Sequence, residues 1–135
     1  MTQRSDPTDA IPETTLAALG AMPEAARAGV HALRRMILRV AAEENTAVRE
    51  ELRWGQPAFL SPKGTTIRIG THKAARFAFF VHCQTSLIDD FRAGPGAAMA
   101  FDGTRGVLFN DPDEIDAAAM TILIRNALSY RQPRR

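Results

Sequence analysis

Cysteine is nearly absent from these 135 residues, with Cys83 alone. A single thiol closes no internal disulfide, which fits a reducing compartment and leaves the core to packing. No apolar run approaches the roughly eighteen residues of a membrane span. The opening MTQRSDP lacks the apolar stretch of a secretion signal. The expectation is a cytoplasmic chain with no membrane partner. An excess of one charge is missing too: 17 basic residues face 15 acidic ones, for a net charge of +2. The pI of 9.2 reflects arginine in place of lysine more than a strong positive field, so nucleic acid is not an expected partner.

Signatures of chemistry are equally sparse. His31, His72, His82 and Cys83 show none of the paired spacings of a zinc site. The chain holds no Ser-His-Asp set and no glycine-rich phosphate loop. The acids after Asn110 (Asp111, Asp113, Glu114, Asp116) are explained by helix capping beside Pro112. His82 and Cys83 are neighbours on an expected strand, so they point to opposite faces and form no dyad. The thiol is expected to be buried as a small hydrophobe. No catalytic residue, metal ligand or cofactor is nominated, and the balance leans away from an enzyme.

What is present is an ordinary globular composition, 45% hydrophobic and 24% charged, in a length that makes one domain. Residues 1–12 are expected to be a flexible leader, 13–131 the domain and 132–135 a loose basic tail. Thr14 to Leu19 predicts a short helix, and Pro23 opens a long one. Its stripe is Ala26, Val30, Leu33, Ile37 and Val40, the period of a helix with one buried side. Arg27, Arg34, Arg35 and Arg39 are assigned to the solvated face.

A second helix is expected over Thr46 to Arg53, ending before Gly55. Pro57 then forces extended chain, giving strands at Ala58 to Leu60 and Thr65 to Gly70, with a polar link over Thr71 to Arg76. Phe77 to His82 is apolar on both faces and therefore central. Ser86 with Asp89 is expected to form a capping box for a third helix. Asp102-Gly103 marks a tight two-residue turn between strands ending at Phe101 and Phe109. Pro112 opens a last helix with Ile115, Ala119, Ile122 and Leu123 inward. The fold class is α+β, a single antiparallel sheet of about five strands with helices on one face.

The only tryptophan sits in Arg53-Trp54-Gly55-Gln56-Pro57-Ala58-Phe59, echoed by His82-Cys83-Gln84-Thr85. Gln56, Arg68, His82, Gln84 and Arg105 are the polar residues that can converge with Trp54, Phe59 and Phe80. Apolar walls with a few polar groups are the usual makeup of a small-molecule pocket. Arg105 offers a bidentate anion contact. The ligand-binding set is thus Trp54, Gln56, Arg68, His82, Gln84 and Arg105, in a pocket expected between sheet and helices.

Leu52 to Phe59, with Thr66 to Gly70, Phe80 to Thr85 and the strands around Phe101 to Phe109, resembles the YdhG-like domain-of-unknown-function family over about residues 24–130. The resemblance implies a small α+β domain with an antiparallel sheet backed by helices. It also implies a link to iron, because some members are described as iron chaperones similar to frataxin, which offer iron a ridge of acids on a helix. Here the long helix presents arginines, with acids only near its end at Glu43-Glu44. The function expected is non-catalytic binding of a small ligand. An iron-chaperone role and a protein-interaction module on the basic face of the long helix stand as alternatives. Edge strands leave monomer and homodimer both open.

Overall fold

The computed structural model describes residues 10–131, so most of the expected leader and all of the expected tail lie outside the described residues. Helices α1 (Glu13–Gly20) and α2 (Glu24–Glu43) lead into strands β1 (Arg49–Arg53), β2 (Gln56–Leu60), β3 (Ile67–His72) and β4 (Ala75–Phe80). Helix α3 (Leu87–Arg92), strands β5 (Ala100–Asp102) and β6 (Gly106–Phe109) and helix α4 (Ala117–Leu128) follow. The six strands form one sheet in the order β1-β2-β3-β4-β6-β5, every pairing antiparallel. The α+β class and the single antiparallel sheet therefore stand, and β4 is central.

Strand alternation divides the sheet. Phe59, Ile67, Ile69, Phe77, Phe79, Val107 and Phe109 are all buried at 1% exposure or less and form the core with the expected α2 stripe. That stripe, Ala26, Val30, Leu33, Ile37 and Val40, is at most 2% exposed. A Cβ on Gly29 would lie 2.2 Å from the Phe77 ring, so glycine is what lets α2 settle onto β4. The residues at the alternate positions, including Glu51, Arg53, Gln56, Arg68, Phe80 and Asp102, belong to the opposite face.

Several expectations change. The segment 46–53 is not a helix, because Arg49 to Arg53 pairs with Gln56 to Leu60 as an edge strand. Glu, Leu and Arg favour helix locally, but the ladder to β2 and a buried ion pair override that preference. The expected link over Thr71 to Arg76 is mostly strand, with His72 and Ala75 paired across a two-residue turn. Asp102 pairs with Gly106, so that hairpin closes through three residues, with Gly103 at φ 53°. Ser86 makes no side-chain cap on α3; its N–H donates instead to the Tyr130 hydroxyl at 3.2 Å.

Pro112 opens only a short 3-10 turn, and Asp116 Oδ1 caps α4 by accepting from Ala119 N–H at 3.1 Å. Ala119 and Leu123 are buried as expected, together with Met120, Ile124, Ala127 and Leu128, whereas Ile122 is 39% exposed.

The arginine face of α2 is also smaller than expected. Arg34 is 1% exposed and grips Glu50 of β1 through Nε at 2.8 Å and Nη2 at 3.0 Å, with a further bond to the Ala10 carbonyl at 3.0 Å. Arg27 donates to the Leu19 and Met22 carbonyls at 3.0 and 2.9 Å, sealing the end of α1. Only Arg35 and Arg39 of the four are exposed.

Candidate functional site

The candidate site lies on the sheet face opposite the α2 core, where no helix among the described residues lines it. Its first wall comes from the β1–β2 hairpin. Arg53 pairs with Gln56, so Trp54 and Gly55 alone make the turn, with φ of 52° and 76°. Two positive values define the mirror-image turn that suits strand twist, and asparagine–glycine is its favoured sequence. A tryptophan at such a φ carries strain of about 1 kcal/mol or more. Here it is also 86% exposed.

Arg68 supplies the centre. Its guanidinium carbon sits over the Trp54 ring, 4.6 Å from the centroid, and over the Phe80 ring at 5.1 Å. One N–H donates to Gln56 Oε1 at 2.5 Å. No carboxylate or other acceptor among the described residues meets its remaining donors. Burial, and then the charge of Arg105, push its pKa down from the usual arginine value. The side chain remains a cation that the fold does not neutralise.

The far wall is the turn after β4, tied to the β5–β6 loop. Val81 N–H donates to the Arg105 carbonyl at 2.8 Å, and Thr104 Oγ1 donates to the Cys83 carbonyl at 3.0 Å. β4 ends at Phe80, so His82 and Cys83 stand outside the strand. Cys83 is exposed, not the buried small hydrophobe that free cysteines usually are. Gln84 N–H donates to His82 Nδ1 at 3.1 Å, which places the proton of the neutral ring on Nε2.

Together these pieces enclose a cavity of about 460 Å³ lined by Arg53, Trp54, Thr66, Arg68, Val81, His82, Cys83 and Arg105. A shallower depression of about 340 Å³ shares Arg68 and Arg105 and adds Gln56, Thr71, His72, Lys73 and Phe80. The two flank one concavity. In a flat sheet β3 and β5 would stand about 14 Å apart, three strand spacings. Yet His72 Nε2 of β3 lies 2.9 Å from Asp102 Oδ2 of β5, with its ring 6.1 Å from that of Phe80. The sheet and its side chains therefore close over this face.

Ala74 N–H donates to His72 Nδ1 at 3.0 Å, so both ring nitrogens are engaged. The His72 bond is the main cause of a lowered Asp102 pKa, with Arg105 assisting. Asp102 in turn accepts from Arg105 Nε at 3.1 Å.

Of the six expected ligand-binding residues, Trp54, Arg68, His82 and Arg105 line the main cavity and Gln56 the adjoining one. Gln84 lines neither and acts only through its backbone. The pocket is not between sheet and helices: strands and turns alone line it. Phe59, expected beside it, is in the core. Arg53, Thr66, Val81, Cys83 and the His72–Asp102 pair were missed. Thr66 was legible, since it lies two residues before Arg68 and shares its face. His72–Asp102 was not, because 30 residues separate them.

A further cavity of about 400 Å³ between α3 and α4 holds none of the expected residues. Among the described residues no three His, Cys, Asp or Glu side chains cluster so as to hold a metal ion, and no helix is long and apolar enough to cross a membrane. No protein-family model, curated protein or solved structure matches the chain.

Proposed function

We propose that this chain is a binding module for a small anionic molecule, received in the concavity between Trp54 and Arg105. One observation carries the reading: the sole tryptophan is exposed, held at positive φ, and set over an arginine at the cavity mouth. Neither the exposure nor the backbone strain benefits folding. Both suit an aromatic wall that is completed when a ligand enters. The cavity volume falls within the usual range for small-molecule sites, about 300–1,000 Å³. The arginine supplies the polar anchor. No nucleophile with an aligned base lines the cavity, so the reading is recognition without reaction.

Trp54→Asn tests it. Asparagine suits the turn, so the variant's stability in urea is expected to equal the parent's or exceed it by up to about 1 kcal/mol. The variant also removes the aromatic wall. In the parent, fluorescence of the single tryptophan is expected to shift blue and saturate as small organic anions are titrated. For the anions that respond, calorimetry is expected to show their binding lost in the variant. A variant that binds them as well as the parent ends the proposal.

A further inference from the structure

We infer that the ligand is a monocarboxylate with an apolar body, its carboxylate held by Arg68; this rests on the binding reading above and narrows it. The charge pattern decides between anions. Three arginines line the cavity, but Arg53 Nε is 2.7 Å from Glu51 Oε2 and Arg105 Nε is 3.1 Å from Asp102 Oδ2. Of these three, only Arg68 has no carboxylate partner among the described residues. Within the main cavity one positive charge, that of Arg68, therefore has no carboxylate beside it; Lys73, also without an ion pair among the described residues, lies in the adjoining depression. A phosphate monoester brings about −1.5 to −2 at neutral pH, more than Arg68 alone offsets. A carboxylate matches Arg68 one to one.

Shape agrees with charge. The rings of Trp54 and Phe80 flank the guanidinium, so its donors radiate in its own plane. One is spent on Gln56. The others form a planar fork, which fits the two oxygens of a carboxylate in parallel bonds. The Trp54 ring and Val81, itself 3% exposed, line the cavity, and Thr66 and His82 border it. A hydrocarbon or aryl body fits there better than a polyol, for which few donors and acceptors are at hand.

The test compares three aryl probes of similar size on the unaltered protein: phenylacetate, its neutral amide and phenyl phosphate, followed by Trp54 fluorescence and calorimetry. Phenylacetate is expected to bind at least about tenfold more tightly than either of the others. Arg68→Gln is expected to erase that preference while leaving the amide's weak binding unchanged. Arg68→Lys, which keeps the charge without the fork, is expected to restore only part of it. If the amide binds as well as phenylacetate, or phenyl phosphate binds more tightly, the carboxylate inference fails while the pocket stands. If none of the three, nor hexanoate, perturbs Trp54 or binds by calorimetry, both readings fall.

Discussion

Two arginines on opposite faces of the same sheet show what each face is for. Arg34, on the helix side, is 1% exposed and doubly bonded to Glu50. Arg68, on the open side, is half-buried, flanked by two aromatic rings, and bonded to the neutral Gln56. The first charge is neutralised within the fold; the second is left for something outside it. A protein built only for stability would pair both or bury neither.

The comparison breaks most sharply at Glu50. Glu50→Ala strips the carboxylate from a guanidinium that water scarcely reaches, and losing one partner of a buried pair costs about 3–5 kcal/mol. It also loosens edge strand β1 from α2, which Arg34 and Glu50 join. Chemical denaturation is expected to show that loss. A cost near 1 kcal/mol, typical of a surface pair, would mean that Arg34 is no more structural than Arg68.

Arg68→Met is the matching change on the open face, and a much smaller effect is expected. It forfeits two cation–π contacts of about 0.5–1 kcal/mol each and one hydrogen bond, but relieves a partly desolvated cation that Arg105 opposes. Stability is expected to stay within about 1 kcal/mol of the parent's. A loss as large as that of Glu50→Ala would make Arg68 a structural residue and remove the contrast on which the binding site stands.

The same two residues explain what was legible in the sequence. Ala26 to Val40 gave α2 its buried face, since a 3.6-residue period needs no partner to be read. Arg34 falls inside that stripe, one residue after Leu33, yet arginine is so seldom buried that the period was set aside for the residue type. Its partner Glu50 sat in a stretch whose composition favours helix, and only the long-range ladder to β2 makes it a strand. On the open face, the rarity of Trp54 and the alternation around Arg68 placed five of six residues near one concavity. The cavity's side of the sheet was not legible, because it depends on which face the helices take.

The smallest expected effect is a test of how far Arg34's charge is neutralised. Burial first, then the charges of Arg35, Arg34 and Arg27, hold His31 below its usual value of 6.5. The folded protein therefore favours the neutral ring, while the unfolded chain takes up a proton near that value. Between the two the unfolded state binds more protons, so stability falls as pH drops through 6.5 and levels below the folded value. His31→Gln is expected to lose less stability than the parent between neutral pH and about pH 5, measured as the shift in urea midpoint. Equal shifts would mean that neither burial nor the arginine charges hold a proton off His31, with Glu50 screening Arg34 and solvent screening Arg35 and Arg27. The contrast between a neutralised Arg34 and an unmatched Arg68 would then sharpen.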